Sequence, residues 1–153
     1  MSDPQPKPLL NAHAARRCAR RTHNEFDETI PKEPWEPPAS VQALFDAGIA
    51  FEARVFDELR ALHGDGLVDL TEIVARASRI EATTSAMSAG ACIIIGGQLP
   101  DDPVGQRTGR PDVLLKDPAS GPHWRYWPVD IKNHVHANAA KQPNVWAAKL
   151  STP

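Results

Sequence analysis

Two aspartates and a lysine in the last third of the chain have the types and spacing of a site that cleaves phosphodiesters. Asp112 opens one short apolar segment, and Asp130 lies two residues before Lys132 in another. Because side chains alternate along a strand, Asp130 and Lys132 project to one side while Val129 and Ile131 project into a core. If the two segments pair, two carboxylates and one ammonium converge on a common pocket.

Both segments have the pattern of short strands. Val113 to Leu115 and Tyr126 to Ile131 are brief apolar or aromatic runs bounded by glycine and proline, which predicts a hairpin or adjacent strands. Gly109 stands three residues before Asp112, where it lets the backbone bend close to whatever the carboxylate holds.

The residue types favour a hard divalent cation. Mg²⁺ and Mn²⁺ take oxygen ligands and usually complete their shell with water and substrate phosphate, so Asp112 and Asp130 supply a half-site. A cation there polarises a phosphodiester and acidifies a bound water. Lys132 can orient that water or offset charge that builds up on the phosphate. The predicted chemistry is hydrolysis of a nucleic-acid backbone.

These motifs resemble the central motif pair of the PD-(D/E)XK nucleases in their RecB-like branch, and are most similar to predicted RecB-family nucleases related to CRISPR-associated exonucleases. The resemblance rests on Gly109 to Asp112, on Asp130 to Lys132, and on Gly48 to Glu52, which is similar to the first motif of that branch. It covers roughly Leu9 to His134.

The resemblance implies a role for each residue of the motifs. Asp112 and Asp130 would bind Mg²⁺ or Mn²⁺, and the Ile131 carbonyl would be a further oxygen ligand of the metal. Glu52 would help to hold the metal through a water molecule, and Lys132 would position the attacking water. The implied substrate is DNA, single-stranded or at duplex ends. Phe51 stands where the family can have a histidine, a departure that bears on metal affinity.

The fold implied by the resemblance is α/β, with a restriction-endonuclease-like core in which a helix precedes a three-stranded mixed or antiparallel sheet. We expect a disordered N-terminus at 1–8, a nuclease domain at 9–134 and a tail at 135–153. The C-terminal helix and strand of the family core are expected to be missing, because Pro143 interrupts the Gln142 to Trp146 stretch that resembles a later motif in its letters. Another chain, or a missing C-terminal segment, would then complete the sheet.

Periodicity and punctuation predict the remaining elements. Apolar spacing from Val41 to Leu62 predicts a helix capped by Ser40 and ended by Gly64 and Gly66. The other predictions are a proline-rich linker over 28–40, one or two shorter helices over 67–87 with Met87 in the core, and a buried first strand within 89–99.

Basic and aromatic side chains are the candidate contacts to nucleic acid. Arg16, Arg17, Arg20 and Arg21 form one stripe if residues 9–27 are helical, and Arg110 adjoins Asp112. A solvated helix face explains the stripe equally well. Trp124 and Tyr126 can stack on an unpaired base, although core or edge packing is the commoner use of such residues.

Composition limits the protein class. The 153 residues, 41% of them hydrophobic, suit one domain, and 17 Lys and Arg against 19 Asp and Glu give a net charge of −2. DNA contacts must therefore come from local patches. No apolar run or N-terminal leader pattern points to a membrane span or to secretion, so we expect a cytoplasmic location.

The two cysteines bear on one cofactor. Cys18 fits the place at which the resembling family can begin an iron–sulfur cluster, but a cluster needs about four thiolates and only Cys92 remains. Cys92 is predicted to be an inert core thiol. We expect no iron–sulfur cluster in this chain.

Two other functions compete with catalysis. Phe51 and the missing end favour a catalytically inactive nuclease-like protein that binds DNA or acts in assembly. A third possibility is a small α/β protein that binds a metal or a partner through His134 and His136.

Overall fold

The computed structural model describes residues 8–15, 17–120 and 124–133. Its elements are α1 (Ala12–Ala15), α2 (Ala19–Phe26), α3 (Ala39–His63), β1 (Leu67–Asp69), α4 (Arg76–Ser88), β2 (Ile93–Ile95), β3 (Val113–Lys116) and β4 (Tyr126–Val129), with a 3₁₀ turn at Gly64–Gly66 between α3 and β1. The predictions for His134, His136, the Gln142 to Trp146 stretch and the tail lie outside the described residues.

The long helix α3 confirms the prediction for this part of the chain. It buries Val55, Phe56 and Leu59 on one face and ends where Gly64 takes a φ of +46°. That φ lies in the left-handed region, which glycine adopts without the cost a Cβ would bring. The helix begins at Ala39 with no side-chain cap, so the prediction of a Ser40 cap is wrong. The described helices include none with the length and apolar character of a membrane span.

Four strands form one mixed sheet in the order β1-β2-β3-β4, which confirms the α/β class. β1 runs parallel to β2, and the other pairs are antiparallel. The prediction of three strands is wrong, because residues 67–69 form an edge strand instead of a helix, and β2 is therefore the second strand. A strand of three residues is too short to show an alternating apolar pattern. The helical spacing of the residues that follow it therefore led to the prediction of a helix over the whole of 67–87.

The predicted pairing of the two motif strands is confirmed. β3 and β4 are antiparallel neighbours, with Val113 opposite Val129 and Leu114 opposite Pro128. The Asp117 N–H donates to the Arg125 carbonyl at 2.8 Å. Because hydrogen-bonded and non-bonded pairs alternate, the Leu114–Pro128 pair is a non-bonded one. The nitrogen of Pro128 thus points away from β3, on the side where β4 is an edge among the four described strands and where proline is tolerated.

The two faces of the sheet pack against different helices. Ile93, Ile95, Val113 and Ile131 form a cluster with the buried face of α3, and Val129 packs against it. This confirms that Val129 and Ile131 project into a core. On the other face, Ile94 and Leu114 cluster with Leu70, while Met87 and Tyr126 pack against them.

Truncating a residue at the centre of the sheet tests this packing. Ile94 is 0% exposed, so we expect Ile94→Ala to lower the free energy of unfolding by about 2–5 kcal/mol through lost burial and a residual cavity. Urea unfolding measures this. Val104→Ala is the control, since Val104 is 95% exposed and a change within about 0.5 kcal/mol is expected there. Equal losses in both variants would contradict the described core.

The N-terminal part does not form the single basic stripe that was predicted. α2 begins at Ala19, so Arg17 lies outside the helix that carries Arg20 and Arg21, and Arg17 forms an ion pair with Glu25. Arg16 lies outside the described residues. A break before α2 therefore replaces the continuous helix that the alanine and arginine content favoured.

Both cysteines are exposed. Cys18 directly precedes α2, where the N–H groups of Arg21 and Arg20 lower the pKa of its thiol. Cys92 directly precedes β2, so the prediction of a buried core thiol is wrong. The buried strand is shorter than the apolar run suggested, because Gly90, with a φ of +76°, turns the chain just before it.

Candidate active site

The adjoining ends of β3 and β4 bring Asp112 and Asp130 together. The register sets Val113 opposite Val129, so the next residues outward, Asp112 and Asp130, face each other at the end of the hairpin. The carboxyl group of Asp130 is close enough to Asp112 to raise the pKa of the Asp112 carboxyl. The two acids thus lie side by side at the open end of the hairpin.

A backbone link fixes the carboxylate of Asp112. The N–H of Ile131 donates to Asp112 Oδ2 at 2.6 Å. When the strand register is extended by two residues, Ile131 faces Pro111, and a proline has no N–H to donate in return. If the strand pairing continued, the N–H of Ile131 would donate to the Pro111 carbonyl, but it donates to the Asp112 side chain instead. The Ile131 carbonyl receives no hydrogen bond from Pro111.

Lys132 lies beside Asp130, although β4 ends at Val129 and not at Ile131 as predicted, so both residues follow the strand. Its Nζ is 2.9 Å from Asp130 Oδ2, and the two side chains are 55% and 60% exposed. An ion pair this exposed contributes little to stability. Its main effect is to keep an ammonium close to the carboxylates.

Glu52 approaches the same place from α3. A cleft of about 540 Å³ lies between α3 and the loops that follow β1 and β2 and precede β3. Its lining residues are Ile49, Glu52, Ala53, Phe56, Arg60, Thr71, Gly96, Arg110, Pro111 and Asp112. The structure therefore brings Glu52, Arg110 and Asp112 to one cleft, while Asp130 and Lys132 adjoin it through Asp112 and are not among the lining residues.

Sequence reasoning did not assign Arg60, Thr71 or Gly96 to the site. Arg60 donates to Asp69 Oδ2 at 2.7 Å, to Asp57 at 2.8 Å and to Thr71 Oγ1 at 3.2 Å. Its place on α3, about two turns after Glu52, was the available signal. Gly96 has a φ of +66°, and a Cβ there would lie 2.9 Å from Thr71 Cγ2, so the two loops meet too closely for any other residue. No local pattern indicates that approach.

Of the other residues considered in the sequence, Arg110 lies in the cleft, while the aromatic residues lie elsewhere. Arg110 is exposed in the cleft wall, and the described part of the chain offers it no ion-pair partner, so its guanidinium is available to an anion. Phe51 packs against the α3 cluster, and the Arg54 guanidinium lies 5.0 Å from its ring centre. The hydroxyl of Tyr126 donates to the Ala91 carbonyl at 2.8 Å, which is a core role, whereas Trp124 is exposed beneath the ammonium of Lys116.

Crowding of acids perturbs Asp112. Burial raises the pKa of its carboxyl to about 6, and the charges of Glu52 and Asp130 add to that effect, while the N–H of Ile131 opposes it. Such a carboxyl is difficult to ionise without a nearby cation. A cation bound beside Asp112 would therefore favour the ionised carboxylate.

These donors fit half of a divalent site. Within residues 8–15, 17–120 and 124–133, no three His, Cys, Asp or Glu side chains lie close enough together to hold a metal ion. Two adjacent carboxylates and a carbonyl without its ladder donor are nevertheless a suitable partial set for Mg²⁺ or Mn²⁺, which keep several waters and bind substrate phosphate. Glu52, which lines the same cleft as Asp112, is a further carboxylate.

The raised pKa predicts an effect of pH on stability. In metal-free protein, folded Asp112 holds its proton up to about pH 6, whereas the unfolded chain releases it near 3.8. Stability contributed by this group therefore falls as pH rises from 4 to 6, and above 6 the penalty is fully present. We expect Asp112→Asn to raise the free energy of unfolding at pH 8 by about 1–2 kcal/mol after allowance for solvent screening.

Urea unfolding with EDTA at pH 8 and pH 4 measures this, and the gain is expected to vanish at pH 4. Asp102→Asn is a control of opposite sign. The N–H of Gly105 and the guanidinium of Arg107 lower the pKa of Asp102, so its carboxylate stabilises the fold above pH 4 and its loss destabilises. A destabilised Asp112→Asn at pH 8 would contradict the crowding of acids.

Comparison of the chain with family models, with curated proteins and with solved structures finds no match.

Proposed function

We propose that this protein is a divalent-metal-dependent nuclease that hydrolyses DNA phosphodiester bonds, with a core of the restriction-endonuclease type similar to RecB-like nucleases. The observation that carries the proposal is the pairing of Asp112 and Asp130 at the end of the β3–β4 hairpin. Lys132 lies beside Asp130, and Glu52 shares the cleft with Asp112. Two carboxylates, a glutamate and a lysine in this arrangement are the groups that the reaction requires.

The metal ligands in this proposal are the carboxylates of Asp112 and Asp130 and the carbonyl of Ile131, with Glu52 acting through water. Bound Mg²⁺ or Mn²⁺ would polarise the phosphate and acidify water. The absence of a donor on Pro111 supports a ligand role for the Ile131 carbonyl, because a carbonyl without its ladder hydrogen bond is available to a cation.

Lys132 positions the attacking water. Its ammonium, held by Asp130 at 2.9 Å, donates a hydrogen bond to a water oxygen and so directs it at phosphorus. The water oxygen forms the new bond to phosphorus and gives up a proton to solvent. The bond from phosphorus to one bridging oxygen breaks, and that oxygen takes up a proton from solvent as it leaves. A fixed ammonium also stabilises the charge that develops on the phosphate.

Arg110 is the DNA contact that the cleft supports best. It lies two residues from Asp112 and lines the same cavity. Its exposed guanidinium can hold the phosphate next to the one that is cut, since arginine suits bidentate contact with phosphate oxygens. Arg20 and Arg21 on α2 are weaker candidates, because an exposed helix face is their ordinary setting.

A cleavage assay tests the proposal directly. The 153-residue chain is incubated with end-labelled single-stranded DNA, duplex DNA and RNA in Mg²⁺, in Mn²⁺ and in EDTA. We expect loss of DNA that requires the divalent ion and that stops in EDTA. No cleavage of any substrate in either metal by folded protein would exclude the nuclease function.

An inactive DNA-binding or assembly protein is the second candidate. It is favoured by Phe51, which packs in the core where the resembling family can place a ligand, and by the lack of a three-donor group among the described residues. This alternative predicts salt-sensitive DNA binding without cleavage and without dependence on Asp130.

A further inference from the structure

A chain of buried polar groups runs behind the cleft, from α4 to the loop after β2. Thr83 is 0% exposed and Gln98 is 8% exposed. The hydroxyl of Thr83 donates to the Arg79 carbonyl at 2.7 Å and accepts the backbone N–H of Gln98 at 3.0 Å. Because a buried polar group is costly when it lacks a partner, each bond restricts the groups that it joins.

The side chain of Gln98 connects this chain to the loop before β3. Its Nε2 donates to the carbonyl of Gly109 at 2.9 Å, and the N–H of Leu99 donates to the same carbonyl at 3.0 Å. Gly109 immediately precedes Arg110 and stands three residues before Asp112. The segment that carries Arg110 and the half-buried Asp112 is thus attached to α4 through Gln98.

The other end of the chain reaches the loop after β1. Arg79 is buried, and its Nε donates to the Ile73 carbonyl at 2.6 Å while its Nη2 lies 3.4 Å from the Thr71 carbonyl. Thr71 lines the cleft together with Asp112. One buried network therefore joins two of the loops that form the cleft wall.

We propose that Thr83 and Gln98 are positioning residues, which hold the Gly109 to Asp112 segment so that Asp112 lies beside Asp130. Their effect on metal binding rests on the proposed function, whereas their effect on the loop does not. Groups that orient a metal ligand through hydrogen bonds typically contribute about 10- to 100-fold to metal affinity.

Gln98→Met tests the proposal, because it removes the amide donor and keeps a side chain of similar length together with the backbone N–H. We expect the amide NMR signals of Gly109, Arg110 and Asp112 to shift in metal-free protein. We also expect Mn²⁺ affinity, measured by electron paramagnetic resonance, to fall about 10- to 100-fold.

The hydroxyl of Thr83 is tested by three variants. Thr83→Val is expected to act in the same direction as Gln98→Met, and Thr83→Ser is expected to restore wild-type values because it keeps the oxygen. Thr84→Val is the matched control: Thr84 also donates to the carbonyl four residues earlier, that of Ile80 at 2.8 Å, but it is exposed. Neither the loop signals nor the Mn²⁺ affinity is expected to change in that variant.

The outcomes separate the positioning role from the proposed function. Loss of stability in urea with unchanged loop signals and unchanged Mn²⁺ affinity would overturn the positioning role. If wild-type protein binds no Mn²⁺, the proposed function fails, and the loop signals of Gln98→Met alone decide the positioning role: a shift supports it and no shift overturns it. Should Thr83→Val not fold, Gln98→Met still decides the question.

Discussion

Asp130→Asn is expected to lower the rate of metal-dependent DNA cleavage by about a hundredfold or more. Asparagine keeps the shape of the side chain but removes the charge that faces Asp112 and pairs with Lys132. The variant thus weakens the site for the cation that would stabilise charge on the phosphate, and loss of one such stabilising group commonly costs about 10²–10³ in rate. Because Asp130 is exposed and its ion pair contributes little, while its charge disfavours ionised Asp112, the variant is expected to be at least as stable as wild type.

The measurement is the initial rate on labelled DNA over a range of Mg²⁺ concentrations, with unfolding in urea as a parallel check. Asp101→Asn is the matched control, since Asp101 is also an exposed aspartate in an ion pair, with Arg76 at 2.7 Å. Its rate is expected to stay within twofold of wild type. A comparable loss in both variants, or no loss in Asp130→Asn, would remove Asp130 from the site.

Lys132→Met has the second large expected effect. Methionine keeps most of the side-chain length and removes the ammonium, so the attacking water loses its hydrogen-bond donor and the phosphate loses a compensating charge. We expect a fall in kcat of about a hundredfold with little change in the affinity for Mn²⁺. That separation distinguishes a water-positioning lysine from one that supports the metal ligands.

Single-turnover rates at saturating metal, together with Mn²⁺ titrations, measure the two quantities. Lys116→Met is the control, because Lys116 lies at the far end of β3 and its ammonium contacts the Gly90 carbonyl and the ring of Trp124. Activity near that of wild type is expected for it. A weakened Mn²⁺ affinity in Lys132→Met with unchanged kcat at saturation would assign Lys132 to metal binding instead.

Local patterns located the helix and the hairpin because both follow from short-range rules. The period of α3 and its glycine stop are visible in the sequence, as are the apolar runs of β3 and β4. Alternation then determined which neighbours of Asp130 are buried, and Ile131 does lie in the core. The pairing of Asp112 with Asp130 follows from the same register.

Errors arose where contacts between distant residues decide the structure. β1 is three residues long and is stabilised by pairing with β2. The paired residues Leu67 and Ile93 are 26 positions apart in the chain. The network of Thr83 and Gln98 joins a helix to a loop and has no spacing that a sequence pattern could reveal. Cys92 was assigned to the interior by its apolar neighbours, although the strand starts one residue later.

The outward nitrogen of Pro128 has a consequence for how the molecule meets other chains. A polypeptide that tried to extend the sheet beside β4 would find no N–H at the middle of that strand, so one of its own carbonyls would go unmatched. Growth into ordered β-aggregates through this side is therefore penalised. A macromolecule that binds next to β4 is therefore more favourably bound through side-chain contacts than through backbone hydrogen bonds to this strand.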